Sequence, residues 1–473
     1  MFLSNSTVSV SLREKNTLTD SQLTCCWLDV IKIFKDVSIF LQKHKIGVTD
    51  CLALECENSV PSALILLYLL EKGHSFLLLP QTNQPTSIPS FCRYQIIPNS
   101  LGKIDYLKKF DRWLKITKNE EYQPIKGGEK KLYIRTSGST GNPKIVVHSH
   151  EQVLKNALNC LERLTLSPND RIAIPVPLYH LYGLGAAFLP SVAVGATIDL
   201  QKSANLLRYL EREKDFNPNV AFMTPSFCET LIKGRKSARD YKLTVIAGDR
   251  IKEDTFTKYE RNFGRLLTLY GSTEMGVIAA ASPKDQSDVR CQTVGLPMSG
   301  VKIRIKTQSI DSQEQGVGEI YCQHPAGFDG YVDTAGQPIV EQVNQDGYVA
   351  MKDLGKLRTN GYLEVWGRCD RSVNRDGILV LFSDIEKSMK KIPGIENVAV
   401  ESWGENQRGK GLVAFCILSE NANLQETDIK ASCFDILLKR CIPDQIIIIE
   451  ALPMLPNGKI DRQKLISILP RRI

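Results

Sequence analysis

The run YIRTSGSTGNPK, Tyr133 to Lys144, gathers the residue types that hold a polyphosphate. Thr136, Ser137, Ser139 and Thr140 carry hydroxyls, and Gly138 and Gly141 let backbone N–H groups approach a ligand closely. Lys144 then adds a point charge for phosphate oxygens. A plain polar turn after a short strand uses some of the same residues, so the run alone leaves both readings open. It is not a Walker loop. That motif puts Lys and then Ser or Thr directly after its last glycine, whereas Asn142 and Pro143 separate Gly141 from Lys144, and Ile145 follows.

Four further clusters have chemical content. YGSTEMG, Tyr270 to Gly276, follows an apolar strand, where an open α/β sheet presents its ligand-binding groups. Glu274 is a carboxylate suited to Mg²⁺, Thr273 offers a hydroxyl beside it, and a base can stack on Tyr270. A solvated turn is the alternative reading. In PLYHLYGLG, Pro177 to Gly185, His180 either faces a site or is packed and hydrogen-bonded. Asp353, Arg368 and Asp370 lie around a hairpin, where charges are commonly just exposed. LPNGKIDRQKL, Leu455 to Leu465, puts Lys459 beside an Asn457-Gly458 turn at the tip of a hairpin.

The elements that must position these clusters alternate between strand and helix. Cys51 to Cys56 reads as a strand, Pro61 to Leu70 as a helix closed by Gly73, and Phe76 to Leu79 as a buried strand ended by Pro80. The unit recurs at Arg171 to Pro175, Ala193 to Leu200, Val220 to Met223, Leu243 to Ile246 and Leu266 to Tyr270. This argues for an α/β fold of mainly parallel sheets with helices on both faces. Ser149 with Gln152 makes a capping box for the helix after the loop. From Val301 the texture turns to alternating strands and turns, a small antiparallel, barrel-like region. Beyond Asp370 a second capping box, Ser383 with Glu386, opens a helix that stops at Pro393-Gly394, and the strands after it suit a compact α+β domain. The expected division is 1–369 for a large domain and 370–473 for a small one.

Composition narrows the class. At 473 residues, 42% hydrophobic and 24% charged, the chain suits a globular enzyme of two or more domains. No stretch reaches the ~18 apolar residues of a membrane span, and the first twenty residues lack the pattern of a secretory signal. The thirteen cysteines form no metal-type spacing, which suits buried, reduced thiols and a cytoplasmic setting. A net charge of +8 is spread along the chain without an arginine-rich run, so it argues for no nucleic-acid partner.

In this order and at these separations, the five clusters resemble the adenylate-forming superfamily of acyl-CoA synthetases, peptide-synthetase adenylation domains and luciferase-like enzymes. The resemblance runs from about residue 45 to the C-terminus, with TSGSTGNPK, YGSTE and PNGKIDR its most specific parts. It implies ATP-dependent conversion of a carboxylic acid to an acyl-adenylate, then thioester formation on CoA or the phosphopantetheine of a carrier protein. By similarity, Thr136 to Lys144 would hold the ATP phosphates, and Glu274 with Thr140 would serve Mg²⁺. Thr273 would meet the α-phosphate. Tyr270 and Gly271 would lie against adenine beside Gly248 and Asp249, and Asp353 with Arg368 would bind the ribose. Asp370 matches a hinge, and Lys459 matches the mobile catalytic lysine of the small domain.

The resemblance also places His180 at the carboxylate end of an acid pocket, with Tyr182, Met223, Ile246, Gly271, Gly276 and Val277 as candidate lining. PLYHLYG carries no aspartate to pair with a substrate ammonium, so an aryl or fatty acid fits better than an α-amino acid. Two positions depart from the usual pattern. Asn374 stands where a lysine follows the hinge, and Met351-Lys352 replaces a threonine-glycine pair before the ribose aspartate. Rival expectations are an adenylate used directly for amide formation, and a binding protein that keeps the fold without turnover.

Overall fold

Period-two alternation in short apolar strands decides which face of each sheet a residue serves. Leu52 and Leu54 join one core while Ala53 joins another, and Val220 and Phe222 separate from Ala221 and Met223 in the same way. The computed structural model describes residues 15–82, 87–98, 113–125, 129–135, 144–202, 205–307, 316–339, 346–375, 378–406, 409–420, 422–454 and 460–469. The chain divides into two compact units. The first comprises Met1–Ile303, Cys322–Val349 and Arg358–Glu364; the second comprises Arg304–Tyr321, Ala350–Leu357 and Val365–Ile473.

Among its described residues the first unit holds two large sheets. One has nine strands in the order Leu296–Pro297, Gly276–Ala280, Gly264–Ser272, Tyr241–Ile246, Val220–Met223, Arg171–Ile174, Thr197–Leu200, Thr17–Thr19 and Thr24–Cys26. Its centre is parallel, and antiparallel strands close it at both edges. The other has eight, in the order Pro338–Ile339, Gly330–Val332, Ile145–Ser149, Lys131–Arg135, Phe76–Pro80, Leu52–Cys56, Tyr94–Pro98 and Leu114–Lys118. The middle of this sheet is likewise parallel. The expected α/β class with parallel-rich sheets is what the chain adopts.

Helices Trp27–Lys43, Val60–Lys72 and His150–Leu164 share one apolar core with both sheets. Helices Leu206–Phe216, Pro225–Gly234 and Glu253–Phe263 cover the outer face of the nine-stranded sheet. Local signals act as read. Ser59 caps Val60–Lys72, Gly73 ends it in the left-handed conformation, and Ser149 and Gln152 complete their capping box. No helix among the described residues is long and apolar enough to cross a membrane. All thirteen cysteines carry free thiols, most of them buried.

The second unit contains strands Ile378–Leu381, Ser372–Arg375, Gly409–Leu418 and Ile395–Asn406 in that order, with Gln445–Ile448 parallel to Gly409–Leu418. Helices Phe382–Met389 and Glu426–Ile436 pack on this sheet. The capping box expected from Ser383 and Glu386 does not form. Leu381 occupies the N-cap without a side-chain bond. Glu386 instead accepts from Arg371 at 2.9 Å on both oxygens and from the Val400 amide at 2.9 Å. A guanidinium that reaches both oxygens outcompetes a single backbone N–H at a helix start.

Two side chains give this fold measurable signatures. Asn58, 5% exposed, donates to the carbonyls of Ile174 and Val176 at 2.9 Å each and accepts from the Leu178 amide at 2.9 Å. It clamps the chain that leads into PLYHLYGLG. Asn58→Ala strands those three backbone groups and should cost about 3 kcal/mol in denaturant unfolding; a loss below about 1 kcal/mol would mean that water replaces the clamp.

His150 is 2% exposed, and burial pushes its imidazole down from 6.5 to about 4. Because the folded pKa lies below the unfolded one, the contribution is complete above pH 6.5 and is lost as pH falls towards 4. Between pH 6.5 and 4.5 the wild type should lose about 2 kcal/mol more than His150→Gln. Equal losses would exclude His150 as a source of acid sensitivity.

Candidate active site

The loop with phosphate-binding composition joins two antiparallel strands. Lys131–Arg135 pairs with Ile145–Ser149 in a register that sets Arg135 opposite Ile145. The intervening loop thus leaves and returns at one end of the ladder. Thr136, Ser137, Gly138, Ser139, Thr140 and Gly141 lie outside the described residues, as does Lys459; Lys144, at the loop exit, is described.

The Lys144 ammonium sits over the Tyr331 ring, 5.1 Å from its centroid. Tyr331 stands on the Gly330–Val332 strand, which pairs with Ile145–Ser149 and sets Tyr331 opposite Val146. Its hydroxyl donates to Glu274 Oε1 at 2.9 Å. The same segment fixes the Glu274 backbone, since the Phe328 amide donates to the Glu274 carbonyl at 2.8 Å. Two residues more than a hundred positions apart, Lys144 and Glu274, therefore share one aromatic side chain.

Thr273 is held from the eight-stranded sheet. His148 Nε2 lies 2.7 Å from the Thr273 carbonyl, which can only accept, so this nitrogen carries the proton. Burial pushes the His148 pKa down, against that bond and the charges of Asp329 and Glu274. His324 is likewise held down by burial, with Nε2 2.9 Å from the Val277 carbonyl and Nδ1 accepting from the Ala326 amide. Neutral imidazoles thus act as fixed backbone anchors beside the YGSTEMG hairpin.

That hairpin needs its glycine. Gly276 has φ +65°, and a Cβ there would meet Asn156 Oδ1 at 2.6 Å. Asn156 is buried, accepts from the Val277 amide at 2.9 Å and donates to the Gly185 carbonyl at 3.0 Å, so it links this hairpin to PLYHLYGLG. The latter forms a π-helix, Tyr182–Phe188, which sequence reasoning missed because no periodicity announces one. Gly183 permits it, as a Cβ there would fall 2.1 Å from the Pro177 carbonyl oxygen.

The remaining candidates divide by environment. His180 is exposed, with its ring 4.5 Å from that of Tyr179. The Tyr182 hydroxyl lies 2.9 Å from the Met223 carbonyl and 2.8 Å from that of Val245, at the ends of two adjacent parallel strands. Burial pushes the Tyr182 pKa well up. The Met223 and Ile246 side chains point the other way, into the outer core with Tyr259 and Cys228, because strand alternation turns them from Phe222 and Val245. Val277 is buried in the central core, and Gly271 is exposed. Tyr270, half-buried near the end of strand Gly264–Ser272, and the exposed Gly248 and Asp249, just past strand Tyr241–Ile246, lie at the same end of two neighbouring parallel strands.

In the second unit, Asp353 is buried with Arg368 Nη1 3.5 Å from its Oδ1, and Arg368 Nε lies 3.4 Å from Asp370 Oδ1. Lys352 adopts φ +57°, the left-handed conformation that glycine favours. The backbone before Asp353 thus keeps a glycine-type geometry although the glycine is gone. The Asn374 side chain is outside the described residues. Sequence reasoning overlooked Tyr331, Asn58, His148 and Asn156. Only the placement of Asn58 two residues after a buried strand offered a signal.

The chain is similar in sequence and fold to known proteins. Residues 98–332 match the model of AMP-binding enzymes. A putative acyl-CoA synthetase of Bacillus subtilis is 28% identical over 70% of this chain and 62% of its own length. The malonate–CoA ligase of Arabidopsis thaliana is 27% identical over 71% and 60%, and the sulfoacetate–CoA ligase of Cupriavidus necator is 24% identical over 71% and 66%. The chain thus spans 60–66% of the length of these curated relatives. Among solved structures, ATP-bound MatB of Rhodopseudomonas palustris superposes with a TM-score of 0.79 at 19% identity, covering 99% of this chain and 98% of that one. The o-succinylbenzoate CoA synthetase of Bacillus subtilis gives 0.79 at 19% identity, over 98% and 97%. The likenesses to solved structures show the fold, and the matched family model assigns residues 98–332 to the AMP-binding enzymes.

Proposed function

We propose that the chain is an AMP-forming acid–thiol ligase, which uses ATP to make an acyl-adenylate and passes the acyl group to a thiol. The observation that carries this reading is the meeting of Lys144 and Glu274 on Tyr331 at the exit of the Thr136–Lys144 loop. A cation donor for phosphate and a carboxylate for a metal are thereby held beside the loop that would wrap the nucleotide. Among the described residues no three His, Cys, Asp or Glu side chains form a protein-only metal cage. One carboxylate completed by phosphate oxygens is the arrangement Mg²⁺ favours, so the donor set fits that ion. When bound, Mg²⁺ would supply charge to neutralise the phosphates.

The chain's own residues would do the rest. Thr136 to Gly141 with Lys144 would hold the β- and γ-phosphates, Glu274 with Thr140 the metal, and Thr273 the α-phosphate. Tyr270, Gly271, Gly248 and Asp249 would accept adenine, and Asp353 with Arg368 the ribose. His180, exposed at the entry to the π-helix, would meet the substrate carboxylate, with Tyr182 closing the strand ends behind it. A division at Asp370 into a large domain, 1–369, and a mobile small one, 370–473, would allow Lys459 to enter for adenylation and leave before the thiol arrives. The absent aspartate in PLYHLYG and relatives named for malonate and sulfoacetate favour an acid without an α-ammonium. Those names also favour CoA over a carrier protein as the acceptor. Free thiols throughout the chain support a cytoplasmic setting.

Attack of a carboxylate on the α-phosphate crowds negative charge, so the barrier is mainly electrostatic. Acid-dependent exchange of labelled pyrophosphate into ATP, across aryl, short-chain, long-chain, dicarboxylic and amino acids, tests the reading directly. Exchange confined to acids lacking an α-ammonium is expected. Retained Mg–ATP binding without exchange for any acid would favour a binding protein. Lys459→Ala should lower exchange by about 10²–10³-fold, the scale of one lost oxyanion donor, with ATP affinity and unfolding midpoint nearly unchanged. A rate within a few-fold of wild type would remove that lysine from the chemistry.

A further inference from the structure

We infer that Tyr331 is a positioning residue for nucleotide binding: its hydroxyl aims the Glu274 carboxylate and its ring face steadies the Lys144 ammonium. The inference rests on the proposed use of those two groups for metal and phosphate. Tyr331 is half-buried on a strand paired to the one that follows Lys144, so its backbone is fixed relative to the loop exit. Phe328 packs edge-on against its ring at 4.9 Å and 76°, which limits ring rotation. The amide of the same Phe328 holds the Glu274 carbonyl, so both ends of Glu274 answer to one short segment, Phe328 to Tyr331.

A carboxylate has two oxygens and about four lone-pair sites. Tyr331 engages Oε1 with a charge-assisted O–H···O⁻ bond and leaves Oε2 for another ligand. Aromatic faces attract ammonium groups without neutralising them, so the ring can hold Lys144 in place without removing its charge. One side chain thus serves an anion through its edge and a cation through its face. Phenylalanine keeps the second service and loses the first; leucine loses both.

Tyr331→Phe and Tyr331→Leu separate the two services. Mg²⁺-dependent ATP binding, read by titration calorimetry, reports each without requiring turnover, and pyrophosphate exchange reports the consequence. Tyr331→Phe should raise the Mg²⁺ concentration for half-maximal ATP binding about tenfold, with ATP affinity at saturating Mg²⁺ within about twofold of wild type. Tyr331→Leu should add a loss of about three- to tenfold in ATP affinity that saturating Mg²⁺ does not restore. Both variants should keep the far-ultraviolet spectrum and cooperative unfolding of the wild type. An unchanged Mg²⁺ midpoint in Tyr331→Phe, or equal behaviour of the two variants, overturns the inference. Wild-type binding of Mg–ATP without exchange for any acid would overturn the proposed reaction alone. Failure of the wild type to bind Mg–ATP would overturn both.

Discussion

The bond from His148 to the Thr273 carbonyl joins the two sheets of the first unit at the level of the site. Each sheet owns part of the chemistry. The eight-stranded sheet carries the loop exit, Lys144 and Tyr331, and the nine-stranded sheet carries Tyr270, Thr273 and Glu274. Without a fixed relation between the sheets these groups would be chemically suitable but not assembled. Burial keeps His148 neutral, and a neutral ring makes a good join, because it donates one hydrogen bond and adds no charge beside Glu274. Asn156 makes a second join, from the helix behind the loop to the YGSTEMG hairpin and the π-helix.

Antiparallel pairing is what lets distant segments meet here. The centre of both sheets is parallel and buried, built from strands whose apolar residues serve both faces. Of the antiparallel contacts that flank it, three lie at the candidate site: Lys131–Arg135 with Ile145–Ser149, Gly264–Ser272 with Gly276–Ala280, and Gly330–Val332 with Ile145–Ser149. The first two turn the chain back at a strand end, and the third brings in a strand from far along the chain. The segments Thr136–Lys144 and Tyr270–Gly276, to which the proposed chemistry is assigned, span those two reversals. The third delivers Tyr331.

Much of this was legible in the sequence because it is written locally. Ser149 and Gln152 stand three apart and cap a helix, Gly73 follows the last apolar turn, and short apolar runs between turn residues became strands. The chemistry proposed for the loop motif and the YGSTE hairpin rests on residue type and order rather than on any long-range contact. What stayed hidden depends on partners far along the chain. Glu386 has the right spacing for a capping box and the helix forms, yet its carboxylate goes to Arg371, across the second unit's fold. Met223 and Ile246 end the right strands but point to the outer core, a choice of face that motif position does not encode. Tyr331 looks like any other tyrosine until strand pairing brings Glu274 within 2.9 Å of it.

Lys352 shows the converse, a departure in sequence that leaves geometry intact. Glycine's usual advantage at positive φ is the absence of a Cβ, which costs other residues roughly 1–2 kcal/mol. At φ +57° Lys352 carries that cost, and the strand continues into a buried Asp353 that meets Arg368. The backbone bend before Asp353 is therefore held by the surrounding strands rather than by the residue that occupies it. A motif read as a string of letters loses a match there. A motif read as a set of required backbone and charge positions keeps it, because what ligand chemistry demands is the placement of the carboxylate, not the identity of the residue in front of it.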